Sequence, residues 1–412
     1  KLVIAYDVRH FSKAFCELAA STWTKLGGEA YIFDGPRSTP QLSFTVRHFK
    51  ATCGIVLTAS HNPPQYNGYK VYFADGGQVV PPNDSGIIAE VKKVAIEDTQ
   101  QFLEVDLSKV NILKSEMDEA YCAAVVETVI DRDVLASTDL KVVFTPIHGT
   151  GAIISLPALR QLGLDPLVVE KQMQSDGNFS TVQSPNPENA EALQLATDLA
   201  ESEGVDLLMG TDPDADRMGV AVKGATFYVF GGEESYGYLP NDSVRDKDAN
   251  AASVIFCELA ASLKAQGSSV LEFLDSIYLK YGFYMEALGQ LVYEGAAGAA
   301  KIARILESYR EVAPESFLGS KIAKFTDFGR QVVTDPDGKE IPSQDLYFLE
   351  LENGYRYAVR GSGTEPKIKF YLFGREDVSG ADELDATKQR TRETIEKLKQ
   401  AILDDADKRA NS

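Results

Sequence analysis

The sequence predicts a multi-domain α/β protein with mixed sheets and helices on both faces, followed by a separately built antiparallel α+β module at the C-terminal end. Three observations lead there. Short β-branched runs alternate with helical-period segments through most of the chain, and such alternation calls for crossover connections and mostly parallel strands. The closing stretch reverses the pattern, with strands and tight turns first and one long charged helix last. Finally, 412 residues exceed what one ordinary core organises, so two to four domains are expected.

The elements follow in order. Leu2 to Ala5 reads as a strand, Phe11 to Leu26 as a helix stopped by Gly27-Gly28, and Glu29 to Phe33 as a second strand. Cys53-Gly-Ile-Val-Leu-Thr-Ala-Ser-His-Asn-Pro-Pro64 holds a buried strand over Gly54–Leu57, and its two prolines forbid a simple continuation into a helix. Asn67-Gly68 reads as a hairpin turn before the strand Tyr69–Phe73. Helices are expected over Asp84–Val94 and Ser115–Asp131, with a first boundary in the polar stretch Asp131–Thr138. A second unit opens with the strand Leu140–Pro146 and His148-Gly-Thr-Gly151, followed by a helix to about Leu162 and a strand over Pro166–Val169. A helix from Asn186 to about Ser202 and the strand Val205–Met209 lead into Gly210-Thr-Asp-Pro-Asp-Ala-Asp-Arg217. Beyond Thr226 come Phe230-Gly-Gly-Glu-Glu-Ser-Tyr-Gly237, a helix over Ala249–Gln266 and further helices to about Arg310. The tail has strands at Gly319–Phe325, Leu346–Leu351, Arg356–Val359 and Ile368–Phe373, and a helix over Asp382–Arg409. The domains expected are 1–135, 136–223, 224–316 and 317–412.

Composition narrows the function classes. A net charge of −20 argues against nucleic acid and anionic membranes as partners, while leaving a phosphorylated substrate open if local donors or a cation receive it. No apolar run reaches membrane-spanning length, and Lys1–Tyr6 reads as a strand, not a signal peptide. Cys16, Cys53, Cys122 and Cys257 show no Cys-x-x-Cys pairing, which suits reduced thiols in a cytoplasmic protein.

Several stretches carry chemistry. Ser60 stands where a strand gives way to a loop, the edge at which open α/β sheets bind ligands. Taken alone it reads equally as a turn serine. Hydrolase chemistry is a poor fit, because no Gly-x-Ser-x-Gly elbow is present and an extended backbone would point His61 away from Ser60. Asp212, Asp214 and Asp216 alternate, so in an extended loop their carboxylates face one side; the stretch reads as a solvated acidic turn or, better, as a site for a cation such as magnesium or calcium, since three like charges in one spot are costly without one. An EF-hand fails on two counts: Arg217 stands where that loop needs glycine and Lys223 where it needs glutamate. Arg360-Gly-Ser-Gly-Thr-Glu-Pro-Lys367 offers backbone N–H groups, two hydroxyls and two cations to an anion, or is a Gly-rich turn, and it lacks the ending of a Walker loop. Gly232-Glu-Glu-Ser235 could grip sugar hydroxyls or be a solvated acidic face.

In this order the motifs resemble the α-D-phosphohexomutase superfamily and, within it, the phosphoglucomutases. The matching stretches are Tyr6-Asp-x-Arg9, Thr58-Ala-Ser-His-Asn-Pro63, Tyr66-Asn-Gly-Tyr-Lys70, Thr211-Asp-Pro-Asp-Ala-Asp-Arg217, Gly232-Glu-Glu-Ser235 and Arg360-x-Ser-Gly-Thr-Glu-Pro-Lys367. The resemblance implies three related α/β domains and a last one shaped like a TATA-binding-protein module. It implies that Ser60 carries a phosphoryl group and that Mg²⁺ sits between it and Asp212, Asp214 and Asp216. A glucose 1,6-bisphosphate intermediate would turn round between two transfers. Lys70 would move the sugar proton, its pKa lowered by Arg9 or Arg217, with Arg9, His61 and Arg217 near the transferred group. Glu233 and Ser235 would hold sugar hydroxyls, and Arg360, Ser362, Gly363, Thr364 and Lys367 the idle phosphate. The expected ligands are hexose phosphates, and the expected state is monomer or homodimer. Glu-Glu-Ser fits glucose better than mannose, and phosphomannomutase or phosphopentomutase is the alternative.

Two departures stand out. Arg217 and Gly232 lie fifteen positions apart, where the family places most of its third α/β domain, and the family's leading strand and arginine loop do not precede Tyr6. A segment missing near Val222, Lys223 and Gly224 is expected, marked by a Cα–Cα separation over 222–226 far above the ~3.8 Å of a trans peptide. A degenerate, non-catalytic sugar-phosphate sensor is the other explanation, and the intact serine and aspartate loops speak against it.

Overall fold

Apolar β-branched runs seed the first sheet. In the computed structural model, which describes residues 1–222, 237–240, 242–293, 295–334, 338–361 and 367–411, the chain forms two compact units, Lys1–Leu271 and Glu272–Ser412. The first unit begins with β1 (Leu2–Tyr6), α1 (Ser12–Lys25), β2 (Ala30–Phe33), α2 (Thr39–His48), β3 (Cys53–Leu57) and β4 (Tyr69–Phe73). After α3 (Asn83–Val91) and α4 (Ile96–Thr99), β5 (Asn111–Leu113) completes a sheet in the order β4-β3-β1-β2-β5. All pairings are parallel except β3–β4. Every residue of β1 is buried, as a strand covered on both faces must be. Val3 and Ala5 pack with Leu42 and Val46 of α2, while Leu2 and Ile4 pack with Cys16 and Ala20 of α1.

Two features here differ from the sequence reading. Helix α2 was not foreseen, although Ser38 caps it by accepting from Gln41 N at 3.3 Å and Pro40 stands in its first turn. The hairpin is also wider than Asn67-Gly68: β3 and β4 pair from Cys53↔Phe73 to Leu57↔Tyr69, so residues 58–68 form the connection. Gly68 lies there because a Cβ would come within 2.5 Å of Thr58 O.

A second sheet follows from α5 (Ser115–Val126), α6 (Arg132–Ser137), β6 (Val142–Thr145), α7 (Ser155–Gln161), β7 (Leu167–Val168), α8 (Glu170–Met173), α9 (Gln194–Glu203), β8 (Leu207–Thr211) and β9 (Met218–Val222). Its order is β7-β6-β8-β9, again with one antiparallel edge pair, β8–β9. The polar stretch after Asp131 is helix α6, because Asp131 caps it by accepting from Asp133 N and Val134 N and Leu135 is fully buried. Helix α5 joins the two sheets: Met117 packs in the first core, and Tyr121 and Cys122 in the second with α10 (Ala249–Ala265).

From Glu272 the second unit contains most of α11 (Val270–Tyr281), then β10 (Phe283–Val292), α12 (Gly295–Glu311), β11 (Ser316–Phe317), β12 (Ser320–Asp327), β13 (Leu346–Leu351), β14 (Arg356–Gly361), β15 (Lys367–Glu376) and α13 (Ala381–Asn411). The sheet runs β10-β15-β14-β13-β12-β11, antiparallel throughout, and α13 buries Ile395, Leu398 and Ile402 against Tyr357 and Phe370. Phe283–Val292, expected to be helical, is instead a strand paired with β15 along its whole length, its side chains alternating between the more and less buried faces. No described helix is long and apolar enough to cross a membrane, and all four cysteines are free. The expected break over 222–226 falls in residues 223–236, outside the described residues.

Candidate active site

Both hairpin connections of the first unit meet at Ser60. Ser60 is 8% exposed, and its hydroxyl donates to Asp212 Oδ2 at 2.7 Å and lies 3.4 Å from Asp216 Oδ1. Ser60 has φ 50°, in the left-handed region. That conformation, not an extended one, brings His61 back to its neighbour, with Nδ1 3.4 Å from Ser60 Oγ. Burial, and then the charge of Arg217, push the His61 imidazole down to about 3, so it is neutral near pH 7.

The aspartates come from the β8–β9 connection. Their convergence comes from a curled turn and not from extended alternation: Ala215 N donates to Asp212 O at 3.0 Å, and Ala215 has φ 51°. Two glycines of His148-Gly-Thr-Gly151 let the turn pack closely, since a Cβ on Gly149 would lie 2.4 Å from Pro213 Cα and one on Gly151 2.2 Å from Thr211 Oγ1. Between them, Thr150 N and Oγ1 both donate to Pro213 O, at 2.9 and 3.0 Å.

Asp212, Asp214 and Asp216 are 0, 0 and 1% exposed, and one oxygen of each lies within 4.8 Å of the others. Each carboxylate turns one oxygen outward to protein donors. Asp212 Oδ1 accepts from the N–H groups of Asp216 and Arg217, both at 3.1 Å. Asp214 Oδ2 accepts from Thr39 Oγ1 at 2.6 Å and Lys70 Nζ at 3.2 Å, and Asp216 Oδ2 faces Lys247 Nζ at 3.1 Å and Lys70 Nζ at 3.7 Å. Of the remaining oxygens, Asp212 Oδ2 and Asp216 Oδ1 face Ser60 Oγ, while Asp214 Oδ1 is buried with no hydrogen-bond partner among the described residues. Three convergent carboxylate oxygens, one of them orphaned, fit a hard divalent cation. Burial, then Asp216 and Asp214, hold the Asp212 carboxyl well above the usual range; for Asp214 burial acts the same way but Lys70 and Thr39 outweigh it, and its pKa falls.

Arg9 and Lys70 are both tied down by neighbours, and Lys70 differs from the reading. Arg9 holds the Ser60 loop by its main chain. Its Nη1 donates to Pro63 O and Tyr66 O at 2.9 and 3.0 Å, its Nη2 donates to Ser60 O at 2.5 Å and to Asn62 O, and its Nε lies 3.1 Å from Asp7 Oδ2. Lys70, on β4, was expected to have a lowered pKa. Burial does act that way, but Asp214, Asp216 and Asp246 outweigh it and the pKa is raised. Arg217 Nη1 donates to Glu188 at 2.9 Å and its Nε lies 3.7 Å from Asp216 Oδ1.

Thr39, Lys247, Glu188 and the Thr58 hydroxyl were missed, and only the Ser38–Pro40 cap signal pointed to any of them. In the second unit Arg360 is exposed on β14 just after the buried Tyr357–Val359, opposite Lys369, and Lys367 opens β15. Ser362, Gly363 and Thr364, between those strands, and Glu233 and Ser235 lie outside the described residues.

Models of the phosphoglucomutase/phosphomannomutase α/β/α domains I, II and III match residues 1–97, 119–225 and 218–281. A Haemophilus influenzae protein named "Probable phosphomannomutase" is 31% identical over 455 residues, which take in 93% of this chain and 89% of that one. The chain belongs to the phosphoglucomutase/phosphomannomutase family. Members of this family are isomerases that transfer phosphoryl groups, and the chain is an enzyme of that kind. A phosphoglucomutase of Staphylococcus epidermidis is 30% identical over 453 residues, covering 90% of this chain and 82% of the relative. The fold is shared with the Paramecium phosphoglucomutase parafusin in its open form (TM-score 0.66, 18% identity, 96% of this chain and 86% of that one). It is shared too with a Burkholderia thailandensis family protein (TM-score 0.61, 17% identity, 95% and 88%). The Haemophilus alignment has a further consequence. Since 93% of 412 is about 383 residues and the aligned stretch runs to 455, about 70 aligned positions have no counterpart in this phosphohexomutase.

Proposed function

We propose that this family member is a phosphoglucomutase, interconverting glucose 1-phosphate and glucose 6-phosphate through phosphorylated Ser60 and glucose 1,6-bisphosphate. The observation that carries the reading is the 2.7 Å contact of Ser60 Oγ with Asp212, inside a buried carboxylate trio that keeps an orphaned oxygen. Phosphoryl transfer asks chiefly for positioning and charge neutralisation, and this site supplies both. In the first half-reaction the bond from phosphorus to Ser60 Oγ breaks and one to a sugar hydroxyl oxygen forms, and Lys70 in its neutral form accepts the hydroxyl proton. In the second, the other phosphate of the sugar returns to Ser60 and Lys70 gives the proton to the departing sugar oxygen. Magnesium held by Asp212, Asp214 and Asp216 would supply Lewis-acid neutralisation of the phosphoryl oxygens and, by offsetting the aspartate charge, ease the Lys70 proton off.

Neutral His61 and the Glu188-held Arg217 flank the transferred group. Glu233 and Ser235 bind the sugar hydroxyls, and Arg360, Ser362, Gly363, Thr364 and Lys367 bind the idle phosphate. A second reading, phosphomannomutase, is favoured by the name of the Haemophilus relative, and phosphopentomutase is a further alternative. The test compares kcat/KM for glucose 1-phosphate, mannose 1-phosphate and ribose 1-phosphate, with intact mass recorded after exposure to glucose 1,6-bisphosphate. Glucose 1-phosphate should lead, and one phosphoryl group should appear on the native protein and not on Ser60→Ala, which should not turn over. Mutase activity in Ser60→Ala refutes the mechanism, and preference for another sugar refutes the substrate.

A further inference from the structure

We propose that Asp7, Thr58 and Arg9 form a positioning ring that holds Ser60 in the one backbone conformation from which its hydroxyl reaches the aspartates. The inference rests on the reading of Ser60 as phosphoryl carrier and assigns three residues that do not touch the reacting atoms. The ring can be followed atom by atom. Ser60 N donates to Thr58 Oγ1 at 2.8 Å, and Thr58 Oγ1 donates in turn to Asp7 Oδ2 at 2.7 Å. Asp7 Oδ2 pairs with Arg9 Nε at 3.1 Å, and Arg9 Nη2 donates to Ser60 O at 2.5 Å. It therefore closes on both sides of Ser60, gripping its N–H and its C=O.

Fixing those two groups fixes the rotations about N–Cα and Cα–C, and with them the direction of Cβ. A serine at φ 50° is away from its preferred regions and needs such over-determination. Asp7 is anchored further, its Oδ1 accepting from Arg9 N at 2.9 Å and Ser12 Oγ at 3.0 Å. The Arg9 guanidinium stacks on Phe179, its carbon 5.0 Å from the ring centroid, and both ion-pair side chains are 0% exposed.

Thr58 is the sensitive member, because its hydroxyl accepts one bond and donates another. Valine keeps the shape and can do neither, whereas serine can do both. The ring acts on the aim of the reacting oxygen and not on the sugar, so its loss lowers kcat and leaves KM alone.

The experiment measures kcat and KM for glucose 1-phosphate in Thr58→Val and Thr58→Ser, with crystal structures of both. Thr58→Val should lose about tenfold to a hundredfold in kcat at unchanged KM, with Ser60 out of the left-handed region and Oγ beyond hydrogen-bond reach of Asp212. Thr58→Ser should restore the geometry and most of the rate. Asp7→Asn, which keeps the shape but removes the charge facing Arg9, should also lower kcat alone, and it decides the matter should Thr58→Val not fold. A Thr58→Val crystal with Ser60 unmoved, or an Asp7→Asn enzyme with native kcat, overturns the proposal. The Ser60 backbone is read without any assay, so this outcome is separate from that of Ser60→Ala.

Discussion

Gly149→Ala is expected to damage the site from beneath. The added Cβ would meet Pro213 Cα at 2.4 Å, Pro213 O at 2.7 Å and Pro213 C at 2.9 Å. Ordinary carbon contacts lie near ~3.5–4.0 Å, so one of the two backbones must retreat by about 1 Å. No side-chain rotation relieves the clash, because the partner atoms are main chain. Pro213 sits between Asp212 and Asp214, and its carbonyl accepts both bonds from Thr150, so the retreat carries the carboxylates away from Ser60. A misplacement of this size costs on the order of a hundredfold in rate. Overpacking costs about 1–3 kcal/mol, which in a unit this large lowers Tm by roughly 2–4 °C per kcal/mol. The assay pairs kcat for glucose 1-phosphate isomerisation with a thermal melt. Gly86→Ala is the control: a Cβ there meets nothing within 4 Å, and within α3 it should add about 0.5–1 kcal/mol. A Gly149→Ala enzyme with kcat within about threefold of native and an unchanged Tm would refute the reasoning from close contact.

Two further outcomes are expected. Magnesium should raise Tm by relieving repulsion within the buried trio, and Asp214→Asn should abolish most of that rise; equal melts with and without the ion would count against a cation site. Asp248 caps α10 by accepting from Ala251 N at 3.0 Å, and burial pushes its carboxyl up to about 6. A raised folded pKa gives stability that is fully present below the unfolded value near 3.8 and is lost as pH rises through about 6. Asp248→Asn should therefore gain in Tm relative to the native protein between pH 4 and pH 7, whereas a constant difference across that window would contradict the burial argument.

Local chemistry made much of the fold legible. The runs Leu2–Tyr6 and Cys53–Leu57 read as covered strands, and the spacing of Asp212, Asp214 and Asp216 already brought their carboxylates together, although a curled turn and not extended alternation does it. What stayed hidden was non-local. Whether Phe283–Val292 is helix or strand depends on its partner β15, some eighty residues on. Nothing near Lys247 in the sequence signals that Asp216 lies 3.1 Å away. The expected lowering of the Lys70 pKa went astray for the same reason: a side chain's neighbours decide its charge, and here Asp214, Asp216 and Asp246 outweigh burial.

Each α/β sheet ends in an antiparallel edge strand, and the two connections formed there, 58–68 and 212–217, carry Ser60 and the acidic trio. A connection of this kind is clamped at both feet to neighbouring strands only ~5 Å apart, unlike a crossover that departs into a helix. Neither can swing like a lid without unzipping its ladder. On the proposed mechanism, whatever freedom a half-reacted sugar needs to reorient comes from other parts of the polypeptide, while these two anvils stay still.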